Sequence, residues 1–207
     1  MQQAVLNKPH YDEKGFDAWV FEEDHRMYGV FDGMGTSEGA RTASNLAAAL
    51  FFKRRSDSLD ALQMGGLIDE ASKSIAVHAP NDGTTATVAR INSEGELHFA
   101  HVGDSRLYVL ADGRVSQITA DEGIGNRLSN YCGPYTHGCV QAGKLDADQW
   151  DAFMICSDGI TGDWKDQLLS VEQIEIVMKE YNATDACQKL YQLSKKADDK
   201  TVIVVKK

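Results

Sequence analysis

The sequence predicts an α+β fold in which two antiparallel β-sheets pack as a sandwich and pairs of helices cover the outside. Two observations carry this prediction. Short apolar strand patterns occur in consecutive groups separated by polar turns, as in antiparallel sheets. Helical patterns occur in pairs between these groups, whereas a parallel sheet would alternate single strands with single helices. The 207 residues suffice for one sizeable core, and we expect a single domain over residues 1–207.

The first half of the chain begins this pattern with a hairpin. Residues 17–22 and 27–31 are predicted to form its strands, joined by the polar turn Glu23-Asp24-His25-Arg26. Residues 37–54 are rich in Ala and Leu and are predicted to form a helix.

A second helix is predicted from about residue 58 to residue 78, with Asp57 or Ser56 as its N-cap. Residues 121–143 are predicted to be irregular. The remaining predicted elements are strands at 84–91, 96–102, 106–110, 114–118 and 152–157, helices at about 171–179 and 184–196, and a β-branched strand at 201–205.

Composition and charge exclude several classes of partner. The formal net charge is −10, and a surface of this sign repels phosphate backbones, so no nucleic-acid partner is expected. No run of 18 apolar residues is present, so no membrane span is expected. The N-terminal residues lack an apolar core followed by a cleavage site, so a cytoplasmic location is predicted.

The four cysteines are Cys132, Cys139, Cys156 and Cys187, and they form no CxxC pair. Their number and spacing do not indicate a disulfide scaffold, which favours reduced thiols. Cys132, His137 and Cys139 could instead be half of a zinc site, although a second pair of ligands is missing.

Acidic residues follow several predicted strands. An apolar strand fixes the backbone, and a carboxylate at its end is held at the rim of the sheet. Several such carboxylates at one rim would form an oxygen-only pocket suited to Mg²⁺ or Mn²⁺. Each motif taken singly also fits an ordinary turn. Asp32, Asp104 and Asp158 follow predicted strands, and the pair Asp198-Asp199 stands just before the strand at 201–205.

Five segments in order make the pattern specific: FDGMG, GTTAT, HVGDSR, CSDGI and DDKTVIVV. In sequence and spacing they resemble the motifs of the PPM family, the magnesium- or manganese-dependent protein phosphatases of type two C. The resemblance runs from about residue 27 to the C-terminus. It implies an αββα four-layer sandwich and the activity of a protein-serine/threonine phosphatase, in a small member of bacterial type.

The resemblance also assigns roles to individual residues. Asp32 would bridge two metal ions, and the carbonyl of Gly33 would ligate one of them. Asp158 and Asp198 would complete the carboxylates of the pair. Asp104, together with Asp158, would bind a possible third ion. The cofactor is therefore expected to be Mn²⁺ or Mg²⁺, with two ions per site and a possible third.

The implied mechanism is attack on phosphorus by a metal-activated water, without a covalent intermediate, and Asp32 and Asp158 are its predicted catalytic residues. Cys156 lies within an apolar strand pattern and is predicted to be an inert thiol. Gly83-Thr84-Thr85-Ala86 and Arg106 are predicted to be structural. The expected partners are a phosphorylated protein substrate and a possible cognate Ser/Thr kinase, and we expect a monomer.

The N-terminal segment departs from the family pattern. Asp17 fits a family aspartate, but Phe16 stands where an acidic or amide residue is usual, and Asp12 stands where an arginine is usual. That arginine commonly binds substrate phosphate, so Lys8 or Lys14 would have to supply a point charge instead.

The flap is the second departure. Residues 118–122 run almost directly into residues 125–128, so the family's flap subdomain is predicted to be reduced. The departures leave two alternatives open. One is a catalytically weak or inactive regulatory protein that binds a phosphoprotein or kinase, and the other is a phosphatase acting on a small phosphorylated metabolite.

Overall fold

The computed structural model describes residues 1–124, 127–134, 139–163, 165 and 167–207. Twelve strands and five helices lie within these residues. In chain order they are β1 Gln2–Lys8, β2 Asp17–Glu22, β3 Met27–Asp32, α1 Glu38–Arg54, α2 Ala61–His78, β4 Ala86–Ile91, β5 Leu97–Val102, β6 Arg106–Ala111, β7 Arg114–Gln117, β8 Gly123–Ile124, β9 Arg127–Leu128, β10 Gln141–Leu145, β11 Ala152–Cys156, α3 Asp158–Thr161, α4 Val171–Glu180, α5 Ala183–Leu193 and β12 Lys200–Lys206.

The strands form two five-stranded sheets and a small hairpin. The first sheet has the order β1-β12-β11-β6-β7, the second has the order β10-β5-β4-β3-β2, and β8 pairs with β9. Every strand pair in them is antiparallel. The predicted α+β class is therefore confirmed.

Three apolar clusters arrange these elements in four layers. Between the sheets lie Tyr28, Trp150 and Phe153, all buried. On the outer face of the second sheet, Phe51 of α1 packs against Phe31 of β3, with ring centroids 5.6 Å apart. Helices α4 and α5 cover the outer face of the first sheet through a third cluster. Each large side chain buried in this way stabilises the fold by roughly 1.5–3 kcal/mol. The order of layers, helices outside and sheets inside, confirms the predicted αββα sandwich.

Capping residues set where the two long helices begin. Ser37 caps α1 by accepting a hydrogen bond from the backbone N–H of Ala40. Asp60, with Gln63, forms a capping box at the start of α2. The prediction of Asp57 or Ser56 as the cap of α2 was therefore wrong.

The sequence patterns missed four strands, β1, β8, β9 and β10, and the short helix α3. Strands β1 and β10 each lie at the edge of a sheet. In β1 only Leu6 is buried, and in β10 no residue is, so the apolar alternation of both strands is weak. The segment predicted to be irregular contains the β8–β9 hairpin and, at its end, the start of β10. Of the helices described, none has both the length and the apolar character that crossing a membrane requires.

Candidate active site

The predicted carboxylates converge at one end of the sandwich because of the strand order. Asp32 is the last residue of β3, and Asp104 lies in the turn between β5 and β6. Asp158 lies two residues after the end of β11, as the first residue of α3, and Asp198 lies two residues before β12. Antiparallel pairing of β11 with both β6 and β12 brings the end of the first strand beside the beginnings of the other two. Four separate chain segments thus deliver carboxylates to one rim.

A cavity of about 530 Å³ opens at this rim. It includes all five residues that the sequence assigned to metal. Its described lining is Tyr11, Phe16, Asp32, Gly33, Met34, Gly35, Thr36, Thr85, Asp104, Arg127, Leu128, Tyr131, Asp158, Asp198 and Asp199.

Two threonines hold the backbone of Asp32 rigidly. Thr85 accepts a hydrogen bond from the Asp32 N–H at 2.9 Å through its side chain and donates its own N–H to the Asp32 carbonyl at 2.8 Å. The Thr84 hydroxyl donates to the same carbonyl at 2.9 Å. The Thr84-Thr85 pair therefore has the structural role predicted for it, and it leaves the Asp32 carboxylate to face the cavity.

Two glycines allow close backbone approaches that any side chain would block. A Cβ at Gly33 would lie 2.7 Å from the carbonyl oxygen of Ala40 and 2.8 Å from that of Phe16. A Cβ at Gly159 would lie 1.8 Å from the carbonyl oxygen of Asp199. Glycine is therefore required next to both Asp32 and Asp158, because it lets neighbouring segments close around the carboxylates.

Asp17 joins the two sheets beneath the cavity. Its Oδ2 atom accepts hydrogen bonds from the hydroxyls of Ser157, at 2.9 Å, and Thr201, at 2.6 Å. Its backbone is paired with Asp32 across the β2–β3 ladder. Burial raises the pKa of Asp17 to about 7, against the lowering effect of these two hydrogen bonds. The carboxyl therefore couples the beginnings of β2 and β12 to the end of β11.

The cavity carboxylates are buried close to one another, and this raises their pKa values. Burial and then repulsion from Asp17 and Asp158 raise the pKa of Asp32 well above its usual value. Burial and then repulsion from Asp158 raise the pKa of Asp104 to about 7. Burial also raises the pKa of Asp158, although Lys196 acts in the opposite direction. Carboxylates gathered in this way are stabilised by a cation.

Lys196 supplies one such cation from within the chain. Its Nζ lies 2.8 Å from Oδ2 of Asp198 and also forms an ion pair with Oδ2 of Asp158. Its side chain is 24% exposed. Burial would lower the pKa of Lys196, but the two carboxylates outweigh burial and raise it, so the ammonium is charged at neutral pH.

The donor set fits hard divalent cations. The predicted ligands present oxygen atoms alone, which Mg²⁺ and Mn²⁺ prefer. Oδ1 of Asp158 is buried and has no hydrogen-bond partner within the described residues. In that same part of the chain, no three His, Cys, Asp or Glu side chains are already closed around a common point. The carboxylates are therefore gathered but not preassembled, and Lys196 bridges two of them.

The cysteines do not take part in the site. Cys156 is completely buried in β11, and burial raises the pKa of its thiol to about 12. Cys132 is also buried, and its thiol lies 3.5 Å from the carbonyl oxygen of Ile68. The zinc alternative also involves His137, which lies outside the described residues.

The N-terminal departures form a distinct arrangement. Asp12, at the family's arginine position, pairs with Arg41 of α1. The Arg41 guanidinium lies over the ring of Phe16, 4.6 Å from its centroid. Asp199 accepts hydrogen bonds from the backbone N–H groups of His10 and Phe16, both at 2.5 Å. The segment is therefore fastened to the rim by Asp199 on one side and Arg41 on the other.

The lysines proposed to replace the missing arginine do not line the cavity. Lys8 is exposed at the end of β1, and Lys14 lines a separate groove beside Trp19. Among the lining residues that are described, Arg127 is the only Lys or Arg. Arg106, by contrast, is buried and holds Asp121 with two of its nitrogens, which makes it a structural ion-pair residue.

Sequence reasoning missed Lys196 and Arg127. Lys196 lies two residues before Asp198, but it follows Lys195 in a polar stretch that is typical of a solvated surface. Arg127 was noted only as part of the shortened flap. In both cases the signal was a cation close in sequence to a motif, and only the folded geometry shows which acids it faces.

Comparison with known proteins agrees with the motifs. The family model described as protein phosphatase 2C matches residues 7–195. Among curated proteins, the chain is 26% identical over 187 residues to the serine/threonine phosphatase stp of Listeria welshimeri, with 73% of each chain covered.

Solved structures show the same fold. Serine/threonine phosphatase Stp1 from Staphylococcus aureus superposes with a TM-score of 0.84 at 20% identity, covering 100% of this chain and 95% of that one. The catalytic domain of the serine/threonine protein phosphatase PstP, solved in complex with two manganese ions, gives a TM-score of 0.83 at 20% identity, covering 98% and 96%.

Proposed function

The chain belongs to the protein phosphatase 2C family, and we propose that it hydrolyses phosphoserine and phosphothreonine in proteins, using divalent cations bound in the acidic cavity. The observation that carries this proposal is the convergence of Asp32, Asp104, Asp158 and Asp198 on one cavity. Buried like charges are unfavourable for a fold. A bound cation best explains why four separate segments bring carboxylates to one cavity.

The proposed ligands are those inferred from the motifs. Asp32, the Gly33 carbonyl, Asp158 and Asp198 would hold two Mn²⁺ or Mg²⁺ ions, and Asp104 with Asp158 would hold a third. When bound, such ions activate a water and neutralise charge on the phosphate oxygens. The chain itself fixes the ligands: Thr84 and Thr85 clamp Asp32, and the close approach at Gly159 sets Asp158 beside the Asp198-Asp199 turn.

Arg127 is the side chain that we assign to the substrate phosphate. A phosphate dianion approaching a ring of carboxylates needs compensating positive charge, and a guanidinium binds phosphate with two parallel hydrogen bonds. Arg127 is exposed and lines the cavity. It would therefore take over the role of the arginine that Asp12 replaces.

No protein nucleophile is required. Cys156 faces the core cluster and keeps its proton at neutral pH. All four cysteines are free, which suits a reducing compartment such as the cytoplasm. A Ser/Thr kinase acting on the same proteins is the partner that this activity implies.

A regulatory, non-catalytic role is the second candidate. The Asp12–Arg41 ion pair favours this role, because Asp12 stands where phosphate-binding members have an arginine and is held there by Arg41. A protein of this kind would bind a phosphoprotein without turning it over.

Turnover assays distinguish these functions. The substrates are a phosphothreonine peptide, a phosphotyrosine peptide and glucose 6-phosphate, each assayed with Mn²⁺, with Mg²⁺ and with EDTA. The proposed function predicts metal-dependent release of phosphate from the phosphothreonine peptide, lost in Asp158→Asn and retained in the control Asp148→Asn, whose side chain is exposed. Preference for the sugar phosphate would support the metabolite alternative. Peptide binding without turnover would support the regulatory one.

A further inference from the structure

Lys196 occupies an unusual place for a lysine. It lies between the end of α5 and Asp198, and its ammonium bridges Oδ2 of Asp158 and Oδ2 of Asp198. These two acids come from different elements and both line the cavity. One side chain therefore joins two carboxylates that are proposed to ligate metal.

The bridge has a clear electrostatic reason. Asp158 is buried, and its charge is opposed by the nearby Asp198. A positive charge between the two removes this repulsion, and it is worth more here than at an exposed site because water screens it less. Lys196 thus performs inside the protein the neutralisation that a bound cation would perform.

The same position cannot hold two cations. A divalent ion that ligates both Asp158 and Asp198 must approach the oxygens that the ammonium contacts, where it would meet a like charge. Oδ1 of Asp158 lacks a partner within the described residues, so it remains available to an incoming ion. The lysine stem is flexible enough to swing its ammonium to solvent once the carboxylates are taken.

Resting on the proposed assignment of Asp158 and Asp198 to metal, we infer that Lys196 is an internal competitor of the divalent cation. It stabilises the metal-free protein and must be displaced when the site fills. The residue therefore sets the metal concentration at which the enzyme becomes loaded.

Isothermal titration with Mn²⁺ tests this role without any turnover assay. The variants are Lys196→Met, which keeps the length but removes the charge, and Lys196→Gln, a polar alternative should the first not fold. Lys195→Met is the matched control, because Lys195 is the exposed neighbour. Removing the competing charge should tighten Mn²⁺ binding by about tenfold or more and lower the metal-free Tm, while the control behaves as the wild type does.

Unchanged or weaker Mn²⁺ binding in both Lys196 variants would overturn the inference, because the lysine would then leave the Mn²⁺ affinity unchanged or increase it. Failure of the proposed function gives a different result: Mn²⁺ binding tightens in the Lys196 variants, but no form of the protein hydrolyses the phosphothreonine peptide. A lack of Mn²⁺ binding in every form would overturn both.

Discussion

Oδ2 of Asp199 accepts a hydrogen bond from the backbone N–H of Phe16 at 2.5 Å. Its other oxygen accepts the N–H of His10 at the same distance. Both oxygens of this carboxylate therefore accept hydrogen bonds from the N-terminal segment, which carries Asp12 where the family usually has an arginine. An aspartate can satisfy two donors in this way, whereas the asparagine typical of the family would present one NH₂ group to one of them.

Asp199→Asn should therefore destabilise the protein, even though it restores the usual residue and removes a negative charge. One backbone N–H would face another donor, which costs about 1–3 kcal/mol. Urea denaturation in EDTA measures the effect, with Asp24→Asn in an exposed turn as the control. An unfolding free energy equal to that of the wild type would show that Asp199 does not hold the segment.

Asp32→Asn should abolish phosphatase activity and raise the metal-free Tm. Burial and the four neighbouring carboxylates of Asp17, Asp158, Asp104 and Asp198 raise the pKa of Asp32, so its charged form opposes folding at neutral pH. The neutral amide removes that opposition, but it lacks the negative charge that the proposed metal ligand supplies. Thermal unfolding in EDTA measures the Tm, and turnover of a phosphothreonine peptide with added Mn²⁺ measures the activity. A lower metal-free Tm combined with full activity would contradict the assignment.

Arg127→Ala should raise the KM for a phosphothreonine peptide by roughly tenfold, because a guanidinium–phosphate contact is lost. Arg127→Lys should restore part of the affinity, since it keeps the charge but not the fork. Steady-state kinetics with Mn²⁺ give both values, with the exposed Arg114→Ala as the control. If KM were unchanged in Arg127→Ala, the phosphate would have to be bound by other groups.

His101 should make the protein less stable in mild acid. Burial lowers its pKa to about 4 from 6.5, so the unfolded chain binds a proton between these values that the folded chain does not. The contribution of His101 to the free energy of unfolding is therefore fully present above pH 6.5. As the pH falls to 4, this contribution is lost, on the order of a few kcal/mol. Unfolding by urea at pH 7 and pH 5 should show a smaller loss in His101→Gln than in the wild type. An identical loss in both would exclude His101, and the exposed His78→Gln is the control.

Cys156→Ala should leave kcat within about twofold of the wild type, because a buried thiol with a raised pKa is not a nucleophile. The substitution should cost roughly 1 kcal/mol of stability through lost packing. Phosphopeptide turnover and urea unfolding measure the two effects. Loss of turnover in a folded variant would point to a cysteine-based mechanism instead.

Much of this organisation could be predicted from the sequence. Apolar strands that lead into Asp32, Asp104 and Asp158 carry strong local signals, and the five motifs place them in one family. The edge strands β1 and β10 could not be found in this way, because they are half-exposed and their stabilising hydrogen bonds come from distant strands.

The interactions at the rim of the cavity were harder to foresee. Lys196 contacts Asp158 across 38 positions of the chain, and Asp199 contacts Phe16 across 183. Long polar side chains can point to solvent or to a distant acid, and local pattern does not decide between these outcomes. The departures at Asp12 and Phe16 were visible in the sequence, but their pairing with Arg41 was not.

The central claim is that this cavity is a metal-dependent phosphatase site. Its most direct test is hydrolysis of a phosphothreonine peptide by protein stripped with EDTA, dialysed and then titrated with Mn²⁺. The account predicts no turnover in the stripped protein and a saturable rise as Mn²⁺ is added, absent in Asp32→Asn. Turnover that survives the chelator, or Mn²⁺ binding that never produces turnover, would contradict it.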